Sequence, residues 1–84
     1  MKKVILTVTE ANCRSGHFAE GDTFLVEDLC PPICHELWNI AYPYVFALQN
    51  GALLDAGDDR AASFSVCCPD GGRVKLQGVL AEKE

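Results

Sequence analysis

The chain has 84 residues, of which 49% are hydrophobic, so it predicts a single folded domain over residues 1–84 rather than a disordered segment. Its net charge of −5 excludes the basic surface that nucleic-acid binding requires, so we expect no nucleic-acid partner. The apolar run at residues 4–6 is too short for a signal peptide or a membrane span, so we expect a cytoplasmic protein with no membrane partner.

Cysteine is abundant in this chain, which contains five of them. A domain of this size buries only about 60–65% of the surface that its unfolded chain exposes, so it gains from a disulfide, a metal or a partner subunit. Structural disulfides are rare in the reducing cytoplasm, and an odd number of cysteines cannot pair completely. The count therefore favours metal binding or thiol chemistry.

Two strands are predicted in the first third of the chain, residues 3–9 and 22–27, on either side of a loop over residues 11–21. Both segments show the two-residue period of strands that are buried on one side. The apolar side chains that share a face are Val4, Leu6 and Val8 in the first strand and Phe24 and Val26 in the second.

A helix is predicted to begin at Pro31 and Pro32, because proline fits the first helical turn, and to end at Asn50. Pro43 removes one backbone hydrogen bond and crowds the preceding turn, so we expect a kink or a break near Tyr42. The apolar residues that recur at helical spacing, and so form the predicted buried stripe, are Ile33, Leu37, Ile40, Ala41, Tyr44 and Leu48.

Two further strands, residues 62–68 and 73–80, flank a turn at residues 69–72 and are predicted to form a hairpin. Residues 53–60 are predicted to be a polar loop. The order is therefore β-β-α-β-β, which predicts an α+β fold: a small antiparallel sheet with one kinked helix packed on one face.

The candidate site residues are thiols and one imidazole, which are the usual ligands of zinc; thiolates also hold iron–sulfur clusters. They are Cys13, Cys30, Cys34, Cys67, Cys68 and, as a substitute ligand, His17. No Cys-x-x-Cys pair is present, so the fold must bring distant residues together. The alternative is that these thiols are buried as small apolar side chains, which is common for unpaired cysteine.

Position along the chain separates the individual cysteines. Cys34 falls in the first turn of the predicted helix, where free N–H groups and the helix dipole favour a thiolate; the alternative is an inert thiol under the sheet. Cys67 and Cys68 are neighbours on a strand and point to opposite faces, so only one of them joins a common site easily. Cys68 shares the face of Phe64 and Val66, which favours the core, although it also lies where the strand ends.

Four aromatic residues, Trp38, Tyr42, Tyr44 and Phe46, lie on more than one face of the predicted helix. Core packing is predicted for most of them. Because so small a domain cannot cover a helix that is apolar all round, we also expect a homodimer through this helix.

The chain resembles a family of small, uncharacterised prokaryotic proteins of about this length. The shared motifs are Cys13 followed by Gly16-His17 and Gly21-Asp22; Cys30-Pro31, Cys34-His35 and Tyr42-Pro43; and Cys68-Pro69-Asp70. The family has no assigned reaction. The resemblance implies that Cys68, rather than Cys67, belongs to the site.

Three functions are open at this point, and no catalytic arrangement of side chains indicates a reaction. The leading hypothesis is a site for zinc or an iron–sulfur cluster made by Cys13, Cys30, Cys34 and Cys68, with His17 as substitute ligand. The second is a metal-free, dimeric interaction module whose cysteines are buried. The third is a thiol redox protein that uses Cys34 with Cys30.

Overall fold

The computed structural model of the protein describes residues 2–12, 16, 18–56, 59–69 and 71–81. Its elements in chain order are β1 (Lys3–Ala11), β2 (Thr23–Val26), α1 (His35–Gln49), β3 (Leu54–Ala56), β4 (Asp59–Ala61), β5 (Ser63–Cys67) and β6 (Val74–Ala81). An antiparallel sheet of four strands in the order β2-β1-β6-β5 packs against α1, and β3 pairs with β4. The predicted α+β fold, with the helix on one face of a small antiparallel sheet, is confirmed.

Alternation along the strands decides which face of the sheet meets the helix. The buried residues of the sheet are Val4, Leu6, Val8, Val26, Phe64, Val74 and Leu76, with Cys68 just after β5. Their neighbours along each strand, such as Ile5, Leu25 and Val79, remain exposed on the other face. Full burial of each such aliphatic side chain contributes roughly 1.5–3 kcal/mol, so this face supplies most of the stability of the sheet.

A β-bulge shifts the pairing of β1 with β6 between Val8 and Glu10. Beyond the bulge, Glu10 lies opposite Lys75 and Ala11 lies opposite Val74. One extra residue in a strand moves the following side chains to the other face. Ala11 therefore packs against the core, and β1 ends beside the start of β6.

Gly78, near the middle of β6, leaves room for the aromatic ring of Phe64 on the neighbouring strand. It pairs with Phe64, and a Cβ atom at this position would overlap the Phe64 ring. The other side of that ring stacks on Tyr44 of α1, with 5.3 Å between the ring centroids. The aromatic ring of β5 thus fills the space that the missing side chain leaves, and it links the sheet to the helix.

The helix begins later than predicted, at His35 rather than at the two prolines. Pro31 precedes another proline, which disfavours helical backbone angles, and its carbonyl accepts the N–H of Ile33 at 2.8 Å in a tight turn. Cys34 has extended backbone angles and is the N-cap. The prolines therefore form a turn in front of the helix instead of its first turn.

The buried stripe of α1 also differs from the prediction. Leu37, Ala41, Val45 and Leu48 are fully buried, whereas Ile40 and Tyr44 are exposed. The prediction was wrong for those two because the sheet meets the row spaced four residues apart, from Leu37 to Val45. The helix continues through Pro43 without a break, and the kink at Tyr42 stays a prediction.

A short hairpin occupies the segment that was predicted to be a polar loop. In it β3 and β4 pair antiparallel, with Leu54 opposite Ala61. The prediction of a loop over residues 53–60 was therefore wrong. Strands of three residues are too short to show a two-residue period, so the sequence carried little signal for them.

Hydrogen bonds from Gln49 and Asn50 to carbonyl oxygens of the chain hold the end of the helix. The side-chain amide of Gln49, which is buried, donates to the carbonyl oxygens of Lys2 at 3.0 Å and Glu27 at 2.8 Å. The N–H of Asn50 donates to Phe46, and Gly51 follows with φ of 87°, a usual helix stop. We call this the Gln49 end of the molecule; it includes the start of β1 and the end of β2.

Candidate functional site

The opposite end of the molecule gathers the start of the helix, the end of β1, the end of β5 and the start of β6. We call it the thiol end and define it by Cys34, Cys68 and Asn12. Cys34 and Cys68 both pack in the core cluster, Cys68 as a buried member and Cys34 partly exposed. Two of the predicted ligands therefore belong to the core, Cys34 at the start of the helix and Cys68 just after the end of β5.

Cys34 begins the helix without capping it through its side chain. Its carbonyl oxygen accepts the N–H of Trp38 at 2.9 Å, and its thiol makes no cap hydrogen bond. The residue lines a cavity of about 280 Å³ together with Phe18, Pro32 and Ile33. Because Phe18 comes from the loop before β2, that loop reaches the start of the helix.

Cys68 is held by the turn that joins β5 to β6. Its N–H donates to the carbonyl oxygen of Val74 at 2.8 Å, and its carbonyl accepts the N–H of Gly72 at 2.9 Å. Only 8% of the residue is exposed, whereas Cys67 is exposed on the other face of the sheet. The predicted separation of these two neighbours is confirmed.

Cys13 and His17, the two predicted ligands from the first loop, lie outside the described residues. Their described neighbours lie at the thiol end. The N–H of Asn12 donates to the carbonyl oxygen of Arg73 at 2.7 Å, one residue from the Val74 that bonds Cys68. Phe18, the residue after His17, lines the cavity beside Cys34.

Cys30 lies on the segment that leads from the end of β2, at the Gln49 end, to the start of the helix. It is exposed, and it lines a different cavity of about 600 Å³ with residues that include Leu25, Glu27 and Pro31. Within the part of the chain that the structure describes, no three His, Cys, Asp or Glu side chains lie together as a metal site would require. Cys30, Cys34 and Cys68 therefore do not form such a group by themselves.

Three aromatic rings form a row along the exposed side of α1. Trp38 and Tyr42 have ring centroids 5.4 Å apart, and Tyr42 and Phe46 have centroids 5.9 Å apart. Tyr42 is 46% exposed and Phe46 is 49% exposed. We call this row the aromatic ladder. Since Tyr44 is also exposed, the prediction of core packing for most of the four aromatic residues was wrong.

Sequence reasoning missed the aromatic ladder although its signal was present. Residues four apart on a helix are neighbours on one face, and Trp38, Tyr42 and Phe46 have that spacing. The helix itself carries little charge around the ladder, because Glu36 is the one residue among Asp, Glu, Lys and Arg between His35 and Gln49. A cavity of about 340 Å³ at its first ring is lined by His35, Glu36, Trp38 and Asn39.

No family model, curated protein or solved structure matches the chain in comparisons with known proteins. The resemblance to a prokaryotic family that its motifs indicate stays a prediction. Among the described residues, no helix is long and apolar enough to cross a membrane.

Proposed function

We propose that this chain binds a metal, as a zinc ion or an iron–sulfur cluster, through Cys13, Cys34, Cys68 and a fourth ligand. The observation that carries the proposal is the thiol end. There, Cys34 and Cys68 both pack in the core, and each lies near a described neighbour of a residue that was predicted as a ligand. Structural zinc sites have four ligands, so one further residue is needed.

Local geometry supports Cys34 and Cys68 in this role. A thiolate at a helix N-terminus is favoured by the unpaired N–H groups and by the positive end of the helix dipole. The Cys34 thiol is not used for capping. The backbone of Cys68 is fixed by two hydrogen bonds in its turn, so little conformational freedom is lost when its sulfur becomes a ligand.

The fourth ligand is His17 or Cys30. Cys30 is exposed and lines a cavity that Cys34 does not line. Phe18, the residue that follows His17 in the sequence, lines the same cavity as Cys34. These contacts favour His17 and make a Cys₃His set the first choice. The alternative is the set of four cysteines that includes Cys30.

Metal analysis of protein purified without oxygen tests the proposal. We expect about one zinc per chain, or iron with sulfide, and loss of the metal in Cys34→Ser and Cys68→Ser. Cys67→Ser is the matched control, since Cys67 is next in sequence but points away. His17→Ala and Cys30→Ser decide the fourth ligand. A folded parent protein without metal, or equal loss in Cys67→Ser, would contradict the proposal.

Trp38 offers a second readout of the same site. It is the one tryptophan of the chain, and its backbone N–H donates to the backbone carbonyl of Cys34, one helical turn earlier. Zinc added to the reduced apoprotein should change the tryptophan fluorescence and saturate at about one equivalent. The same titration of Cys34→Ser should leave the fluorescence unchanged.

We also propose, as a second function, that the chain associates with itself through the aromatic ladder. The observation that favours it is an exposed row of aromatic side chains on an uncharged helix surface. Sedimentation across a range of concentrations should show a dimer, and Phe46→Ala should weaken it. Leu53→Ala is the control, because Leu53 is more exposed than Phe46 but lies outside the helix.

A reducing compartment, the cytoplasm, is the proposed location for both functions, because the exposed thiols of Cys30 and Cys67 stay reduced there. The thiol redox alternative requires Cys34 to be a reactive thiolate rather than a metal ligand. In that case alkylation near neutral pH should be lost in Cys34→Ser while the fold stays intact.

A further inference from the structure

The aromatic ladder is nearly symmetric about its middle ring. Trp38 lies 5.4 Å from Tyr42 on one side, and Phe46 lies 5.9 Å from it on the other. A two-fold axis that passes beside Tyr42, perpendicular to the helix, places Trp38 of one copy opposite Phe46 of the other. The ladder can therefore face a copy of itself that runs in the opposite direction, with every ring opposite another ring.

Charge selects a second copy of this chain as the occupant of the surface. The chain carries a net charge of −5, yet residues 37–49 contain no charged side chain. A basic or acidic partner finds no opposite charge along this surface to pair with. A second copy presents the same uncharged surface, and this allows contact without bringing like charges together.

Helix direction favours the antiparallel arrangement over the parallel one. Glu36, in the first turn, would meet its own copy in a parallel pair. In an antiparallel pair the two carboxylates are separated by about the length of the helix, roughly 20 Å. The helix dipoles also attract each other when antiparallel and repel each other when parallel.

The accessible area of the ladder limits how much surface two copies can bury against each other. Aromatic side chains bury roughly 150–250 Å² each when they are fully covered, and Tyr42 and Phe46 are about half exposed. The ladder with its flanking residues therefore offers roughly 200–400 Å² per copy, against the about 800 Å² per partner of a standard interface. The expected dimer is therefore weak and transient.

We infer that two copies pair through the aromatic ladder as an antiparallel dimer, in which Trp38 of each copy packs on Phe46 of the other and the two Tyr42 rings meet at the axis. This inference rests on the self-association proposed above and adds its geometry. Metal binding at the thiol end is not required for it.

A mixing experiment with two variants tests the geometry. Phe46→Glu and Trp38→Lys should each weaken dimerisation at least about tenfold, because each removes an aromatic ring from the contact and places an unpaired charge in an apolar surface. In a 1:1 mixture, an antiparallel heterodimer joins the introduced lysine to the introduced glutamate at one position and keeps the native Trp38–Phe46 contact at the other. Sedimentation equilibrium should therefore show that the mixture associates about tenfold more tightly than either variant alone.

Four other outcomes would contradict the antiparallel geometry, self-association itself or the role of the ladder. A mixture as weak as its components, beside a parent that dimerises, rejects the antiparallel geometry alone. The double variant Trp38→Lys/Phe46→Glu separates the two directions, because an antiparallel pair joins lysine to glutamate at both positions whereas a parallel pair sets like charges against each other. A double variant that dimerises more weakly than either single variant therefore also rejects the antiparallel geometry. A parent that stays monomeric up to about 1 mM rejects self-association itself. Leu53→Glu should dimerise like the parent, and a loss there points to a general charge effect and counts against the ladder.

Folding of the variants is checked by circular dichroism, because Trp38 is partly buried. If Trp38→Lys does not fold, Asn39→Lys replaces it, since Asn39 is exposed and lies next to Trp38 on the same side. Mixed with Phe46→Glu, it should again associate more tightly than Phe46→Glu alone. Absence of that gain also rejects the antiparallel arrangement.

Discussion

The two ends of the helix are held in different ways. At the Gln49 end, one buried amide joins three segments, since it donates to Lys2 and to Glu27 from the last turn of α1. At the thiol end, Cys34 starts the helix with no side-chain cap, and backbone hydrogen bonds hold Asn12 and Cys68 beside β6. One end is thus closed by a buried side-chain amide, whereas the other is closed by backbone hydrogen bonds and contains two cysteines.

This difference indicates where a ligand adds most to stability. A small domain has a limited core, so the proposed metal at one end would add stability that the core alone does not supply. Under the proposed function, perturbations at the thiol end should change both metal binding and stability. Perturbations at the Gln49 end should change stability alone.

Removing the metal should have the largest effect. Structural zinc contributes on the order of 10 kcal/mol of apparent binding free energy, comparable to the whole stability of a small domain. A strong chelator should lower the melting temperature sharply and speed amide exchange at Cys68 and Gly72 before it affects Asn50. An unchanged melting temperature after chelation of a metal-loaded sample would remove the contrast between the ends.

The second largest loss of stability is expected from replacing either of two matched leucines. Leu37 and Leu48 are both fully buried, and they lie near opposite ends of α1. Replacement of either by alanine should cost about 2–5 kcal/mol in denaturant unfolding. Leu37→Ala, which loosens the turn after Cys34, should also release metal to a weaker competitor, and Leu48→Ala should not. Equal metal release from both variants would contradict the division into two ends.

The buried amide at the Gln49 end gives a smaller effect. Gln49→Leu keeps the volume but removes both donors, so the carbonyls of Lys2 and Glu27 lose their partner and stability should fall by about 1–3 kcal/mol. Asn50→Ala, whose amide bonds Phe46 in an exposed position, is the control and should cost less. Metal content should be unchanged in both, and a loss of metal in Gln49→Leu would show that the ends are coupled.

Two ion pairs at the surface should contribute least. Lys3 lies 3.5 Å from Glu27 at the Gln49 end, and Lys75 lies 3.4 Å from Glu10 at the thiol end. All four side chains are substantially exposed, so Lys3→Gln and Lys75→Gln should each cost about 0.2–1 kcal/mol at low salt and less at 1 M salt. Chemical denaturation in urea at both salt concentrations measures this. A cost above about 2 kcal/mol would assign these pairs a larger role at their ends.

Features with a strict local period were predictable. The burial of Val4, Leu6 and Val8 and the opposite directions of Cys67 and Cys68 follow from the two-residue period of a strand, whatever the strand packs against. The start of the helix was not predictable from proline preference alone. The turn between Pro31 and Ile33, which delays the helix to His35, depends on where the returning segment must arrive.

The candidate site was predictable as a set of residue types and only partly as a group. The sequence marks the thiols, but it does not show that Cys30 and Cys34 line two different cavities, which adjoin at Pro32. The strand order brings Cys68 and Asn12 to one end, and no local pattern contains that order. Exposure of the aromatic ladder likewise depends on which face of α1 the sheet covers.

By itself, then, the sequence determined the class of fold, the sheet face that is buried and the residue types available to a metal, because period and composition are local properties of the chain. Tertiary structure decided the start of the helix, the short hairpin of β3 and β4 and the exposed aromatic ladder. Each of these depends on contacts between segments that are distant in sequence. Those contacts are fixed when the whole chain packs, and the period of a single segment does not contain them.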